Sequence, residues 1–361
     1  CRDRSSDENR SPPVDPRPAA TPQAVQDRRP LWEVSIRGEV QSRLALHDGI
    51  VYVPSMGNDL VALDSTSGRE IFRVRTADSV YSCPHVQDGV VYFGSADHHV
   101  YAADARTGAI RWKTKTGGAV LAGPNVAQGV VCVGSTDTKI YGLDARDGSI
   151  RWTVQGRNMY QSKTGTDGQR FFVGGWDNRF RCIDATSGQE LWALKLGKSA
   201  RSDVFSAYAP AIASPAVGDG KVFVSTNDGI LHAIQVSSGE ELWRIDWAKM
   251  GYSSPLYDRG RVYCALGDEG KVFCADAATG QILWQNDAGS VIYDSSFCLG
   301  GGNVFIATVS GVVCAFDAQS GARRWQYRLA PGHVLASPVA DDQRVYIGSM
   351  NGNVTALPVE R

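Results

Sequence analysis

Apolar and β-branched residues in this chain gather into runs of four to seven, such as the uncharged stretch from Gly89 to Ser95. Asp/Asn/Gly turns such as Asn227-Asp228-Gly229 and Met350-Asn351-Gly352 cut the runs off. Runs of that length between turn residues are what short antiparallel strands joined by hairpins require. No stretch sustains a 3.6-residue apolar period between capping residues, so the pattern predicts strands throughout and almost no helix.

The pattern also repeats. The segment Gly94 to Trp112 recurs as Gly134 to Trp152 and Gly174 to Trp192, and its terminal aromatic falls at Trp32, Phe72, Trp112, Trp152, Trp192, Trp243, Trp284 and Trp325. The intervals are 40, 40, 40, 40, 51, 41 and 41 residues, which makes eight units. A unit of about 41 residues with roughly four short strands is the size of one propeller blade. The expected fold is all-β, an eight-bladed β-propeller of four-stranded antiparallel blades. The last unit runs out at Asn353 to Leu357 with no following Gly and Trp, while Leu31 to Ile36 stands at the front without preceding strands. The N-terminal strand is expected to complete the last blade, because an unpaired edge invites mispairing with other chains.

Recurrence assigns roles to the repeated residues. One ligand stacks on one or two rings, not eight, so the recurring Trp is expected as a wedge between blades with its N–H satisfied by a neighbour. Asp64, Asp104, Asp144, Asp184, Asp276 and Asp317 each stand shortly before a Gly. They read as turn caps, with the Gly supplying a left-handed backbone. A ring of small residues, Ser42, Ser82, Ala122, Ser162, Ala213, Ser253, Ser295 and Ala336, is expected to line the axis where the inner strands crowd together. One residue earlier the repeat varies, and variation on a regular scaffold marks a candidate site. Tyr81, Gln161, Tyr252 and Asp294 are the candidates for an axial pocket.

Composition narrows the partners. With 37 Lys+Arg against 38 Asp+Glu the formal net charge is -1, which leaves no basic excess for a run of phosphates and argues against nucleic acid. The apolar runs are strand-length, far short of the roughly 20 residues of a membrane helix. Eight cysteines without a C-x-x-C pair read as small buried residues. Cys264 and Cys274, symmetric about the turn at 268–270, are a candidate cross-hairpin disulfide. The chain opens on Cys1 and not Met, which is expected of a processed product released from a signal peptide. Residues 1–30, with Pro12, Pro13, Pro16, Pro18, Pro22 and Pro30, read as a disordered Pro-rich tether ahead of one propeller over 31–361.

Searches for chemistry fail. Leu196-Gly197-Lys198-Ser199 ends like a phosphate-binding loop, but Trp192 stands where the leading Gly belongs. There is no H-E-x-x-H or G-x-S-x-G, and the six histidines show no ligand spacing. The residues therefore point to no catalytic group, metal or cofactor.

The motif Val-Tyr-x-x-Asp-Ala-x-Thr-Gly-x-x-x-Trp, as in Val100 to Trp112, resembles the repeat of PQQ-type (pyrroloquinoline-quinone-like) propellers, and the resemblance covers 31–361. Similarity to the quinoprotein dehydrogenases within that group implies a quinone and Ca²⁺ on the axis, held with vicinal cysteines and acidic ligands. Here no cysteines are adjacent, and Asp294 is the one acidic candidate near the expected axis. The plan also resembles the BamB-type outer-membrane-assembly lipoproteins. That similarity implies a monomeric, non-catalytic propeller held at a periplasmic or cell-surface membrane face, the outer membrane favoured, through a lipidated Cys1. It further implies that loops on one face contact another envelope protein, such as an outer-membrane β-barrel assembly factor. The one long insertion, between Trp192 and Trp243, carries Leu196, Arg201, Asp203, Phe205 and Tyr208, which are expected to form the contact loop. The leading expectation is a lipid-anchored scaffold for protein–protein interaction in the cell envelope, with outer-membrane protein assembly as its setting. The alternatives are a quinone-dependent dehydrogenase or small-ligand-binding propeller using the axial pocket, and a sensor propeller from a longer signalling chain.

Overall fold

The computed structural model describes residues 29–197, 213–247, 253–267, 269–329 and 333–360. Among them, 32 strands pair into eight four-stranded antiparallel sheets and no helix occurs. Blade 1 runs from its inner strand Ala45–His47 through Ile50–Ser55 and Asp59–Asp64 to the outer strand Glu70–Arg75. Blades 2 to 7 repeat this order at 85–115, 125–155, 165–195, 216–246, 256–287 and 298–328. Blade 8 takes Val339–Ala340, Arg344–Gly348 and Asn353–Pro358 from one end of the chain and Trp32–Ser35 from the other. Trp32 lies opposite Ala356 and Ser35 opposite Asn353, so the expected clasp closes the ring.

Burial follows from this arrangement. The second strand of a blade is covered on both faces, and Val90–Ser95 is buried at all six positions. That is why it reads as an unbroken apolar run and not as an alternation. Outer strands such as Ile110–Lys115 are mostly exposed but keep Trp112 buried.

The Trp wedges carry the contact between blades. Each indole Nε1–H donates to a carbonyl in the turn of the next blade: Trp112 to Ala145 at 3.1 Å, Trp152 to Ala185 at 3.1 Å, Trp192 to Val236 at 2.9 Å and Trp325 to Val359 at 3.1 Å. Trp32 reaches Ser65 in the same way across the closure, at 3.0 Å. Phe72 has no donor, and there the Tyr52 hydroxyl bonds the corresponding carbonyl of Ala105 at 2.7 Å. A register shift just before the aromatic, as between Ala62 and Leu63 or Cys182 and Ile183, places a bulge in every outer strand of blades 1 to 7. Bulges re-aim the following side chain, and here they turn the indole onto its neighbour.

The repeated Asp and Gly make the turn that receives the ring. Asp184 Oδ1 accepts the N–H groups of Thr186 and Ser187 and the Ser187 hydroxyl, bonds that hold its carboxyl below the usual range. Four residues on, Gly188 has φ of +73°, and a Cβ there would lie 2.5 Å from the Trp152 ring. The glycine is required by both the backbone and the wedge.

Two expectations change. Cys264 and Cys274 are free, because the strands pair Cys264 with Phe273 and Tyr263 with Cys274. Neighbouring strand residues face opposite sides, so the two thiols belong to different hydrophobic clusters on either side of blade 6. The small-residue ring does not line the axis either. Ser82, Ala122, Ser253, Ser295 and Ala336 are almost wholly buried, and Ser295 Oγ accepts the N–H of Ala307 in its own blade's second strand. Small side chains are needed there because the inner strands pack closely: Ser82 Oγ donates to Ala122 O, at the same position of the next blade, at 2.8 Å.

Candidate functional site

Inner strands of adjacent blades approach one another around the axis, and the axial space they enclose is a cavity of about 440 Å³. Arg43, Cys83 and Lys163 of its wall stand one position after the small ring. At this level the blades present Arg43, Cys83, Gly123, Lys163, Ser214, Ser254, Ser296 and Ser337. Half of this circle is closed by serines. The N–H of Lys163 donates to Ser214 Oγ at 3.0 Å, that of Ser214 to Ser254 at 3.1 Å, that of Ser254 to Ser296 at 2.9 Å and that of Ser296 to Ser337 at 2.9 Å. Blades 1 to 3 break the pattern with Arg43, Cys83 and Gly123.

Of the sequence candidates for an axial pocket, Tyr81 and Asp294 come within electrostatic reach of each other. Burial raises the Tyr81 hydroxyl above its ordinary value, and the carboxylates of Glu39 and Asp294 add to the rise. Asp294 keeps exposed surface, yet the protein around it pushes its carboxyl above the usual range, with no cation contributing. Gln161 is half-buried one residue before Ser162. Tyr252 lies outside the described residues. Tyr81, Gln161 and Asp294 are not among the described residues that line the cavity.

The expected contact loop falls mostly outside the described residues: Arg201, Asp203, Phe205 and Tyr208 are among those not described, as is Cys1. Leu196 is described. Its N–H donates to Asn178 O at 2.9 Å, which ties the start of the insertion to the hairpin Trp176-Asp177-Asn178 of blade 4. That hairpin holds residues the sequence reading passed over. Arg181 and Asp177, each with a side chain 3 % exposed, form an ion pair at 2.6 Å, with Glu190 adding a second carboxylate at 3.2 Å. The Arg181 guanidinium also lies 5.5 Å from the Tyr160 ring centroid. Trp176 is half-buried, and its Nε1 has no hydrogen-bond partner among the described residues. The signal for Trp176 was present in the repeat, since the same position is Met56, Ala96 and Thr136 in other blades.

No group of three or more His, Cys, Asp and Glu among the described residues is placed to hold a metal ion. Among the described residues the cavity is lined by Arg43, Lys163, His47 and His85 and by no carboxylate, a donor set that does not fit the calcium ion of a quinoprotein.

A family model described as "Outer membrane protein assembly factor BamB" matches residues 22–152, 94–201, 156–248 and 177–361. A protein of that name from Burkholderia pseudomallei is 28% identical over 179 residues, 48% of this chain and 43% of the relative. A quinohemoprotein alcohol dehydrogenase from Comamonas testosteroni is 27% identical over 150 residues, 33% of this chain and 20% of the relative. The matched stretches thus span less than half the length of these curated relatives. The crystal structure of BamB from Moraxella catarrhalis superposes with a TM-score of 0.77 at 19% identity, covering 92% of this chain and 99% of that one.

Proposed function

We propose that this chain, which belongs to the outer membrane protein assembly factor BamB family, is a non-catalytic scaffold of the cell envelope that binds another protein during outer-membrane protein assembly. The observation that carries the reading is the family match, which runs from residue 22 to residue 361 and takes in every blade. The repeated residues support it: Trp wedges, Asp caps and turn glycines are all used to hold blades together, which leaves the irregular loops to act on other molecules. In this reading Cys1 carries the lipid, residues 1–30 are the tether, and the propeller works as a monomer at a membrane face. The insertion after Leu196 is the contact surface, together with the half-buried Trp176 of the hairpin to which the Leu196 N–H is bonded. Aromatic and Arg side chains contribute most to such interfaces.

The test is recovery of partners by the full chain from solubilised envelopes. The Arg201→Glu/Asp203→Lys variant is expected to recover its partner at least about tenfold less than wild type, with an unchanged melting temperature. Equal recovery removes the insertion as the contact. The mass of residue 1 from the native host reports the anchor, with an acylated Cys1 expected. A quinone-dependent dehydrogenase is the alternative that the Comamonas testosteroni relative keeps in view. Alcohol oxidation with an artificial electron acceptor, after incubation with the quinone and Ca²⁺, would favour it over the scaffold.

A further inference from the structure

The axial cavity brings together two cations that no described residue neutralises. Arg43, from blade 1, and Lys163, from blade 4, both line it, and neither makes a hydrogen bond or ion pair through its side chain with any described residue. Exposed cations commonly lack partners, but these two are half-buried in the wall of one space. His47 and His85 line the same cavity, and none of the described residues that line it is acidic. Burial lowers the Lys163 ammonium below its ordinary value; Cys83 opposes the fall, and the Arg43 guanidinium adds a smaller contribution to it. His85 is pushed down to about 4, first by burial and then by Lys163. Cations that share one partly open cavity repel, and the cost is offset when an anion sits between them.

The space is also shaped. Gly123 stands between the two neighbours that frame it: a Cβ there would lie 2.9 Å from Lys163 Cγ and 3.1 Å from Cys83 Cβ. The missing side chain leaves the Lys163 stem its room. The rest of the wall is apolar, with Leu44, Leu46, Leu256, Leu299 and Val339. A guanidinium fork suits a carboxylate or phosphate, two fixed positive charges suit a dianion, and aliphatic walls suit a carbon skeleton. A volume of about 440 Å³ lies in the range of small-molecule sites.

We propose that the axial cavity between Arg43 and Lys163 binds a small organic anion that carries two or more negative charges on carboxylate or phosphate groups. Binding at this site does not depend on whether the insertion contacts a partner.

The test uses the full chain, titrated by calorimetry and melted in the presence of citrate, glycerol 3-phosphate or sulfate at constant ionic strength. Citrate or glycerol 3-phosphate is expected to bind saturably at one site and raise the melting temperature, as any ligand of the folded state must. The tighter of the two identifies the oxyanion. Arg43→Gln and Lys163→Met are each expected to weaken binding by about tenfold, and without ligand to melt no lower than wild type, since one of two repelling cations is gone. If Lys163→Met melts lower, Lys163→Arg must retain binding for the site to stand. The proposal is overturned if neither organic anion binds saturably, if sulfate matches them, or if the Arg43→Gln/Lys163→Met double variant binds as wild type does.

Discussion

Two glycines of blade 4 separate the demands a turn makes on a single residue. Gly188 and Gly168 both have left-handed backbones, with φ of +73° and +88°. A Cβ on Gly168 would meet nothing within 4 Å, whereas one on Gly188 would press into the Trp152 indole. Both changes to Ala carry the backbone penalty of about 1–2 kcal/mol, and Gly188→Ala adds the cost of displacing the ring, about 1–3 kcal/mol. Denaturant unfolding is expected to show Gly188→Ala losing at least about twice as much stability as Gly168→Ala; equal losses would mean that the indole yields freely. The pairing of Gly with Trp was legible in the sequence because both recur at one spacing. The separation of Cys264 from Cys274 was not. Counting from the turn places them symmetrically, but the strand register is offset by one residue, which puts the thiols on opposite faces.

Between blades, the contact depends on one carbonyl and on which side chains reach it. Ala145 O accepts both the Trp112 indole at 3.1 Å and, at a longer 3.5 Å, the Tyr92 hydroxyl. Ala105 O has Tyr52 as its side-chain donor because Phe72 carries none. Tyr52→Phe is therefore expected to cost about 1–3 kcal/mol, through a buried carbonyl left without that partner, and Tyr92→Phe less than about 1 kcal/mol. Thermal melts of the two variants decide it, and similar losses would show that these carbonyls find other donors. A substitution of Phe for Trp was readable in the sequence as retained packing. The compensating tyrosine was not, since it sits 53 residues from the carbonyl it bonds and only the curvature of the ring brings them together. Trp176 illustrates the converse: an aromatic residue where blades 1 to 3 have none is visible in the repeat, but the bond from Leu196 to the hairpin that carries it is not.

At the scale of the whole ring, closure rests on Trp32–Ser35 lying against Asn353–Pro358. Removing residues through Ile36 takes away this strand and the buried Trp32, and the loss of a core Trp alone is worth about 3–5 kcal/mol. The truncated chain is expected to melt lower and to self-associate through the bared edge in light scattering, with a chain cut at residue 28 as the control; an unchanged monomer would show that the clasp is dispensable. Eight units, their strand order and this closure could all be read from spacing. The pair Arg43 and Lys163 could not, because the two positions are 120 residues apart in the chain and gain meaning only when blades 1 and 4 share a cavity. The clasp also sets an order of assembly. Residues 32–35 are made long before their partner at 353–358, so during synthesis the strand stays unpaired while seven blades form, and its docking is the event that ends folding. Contacts so distant in sequence form slowly, so the period in which the nascent propeller has two sticky ends is the period in which it is open to aggregation and to chaperones.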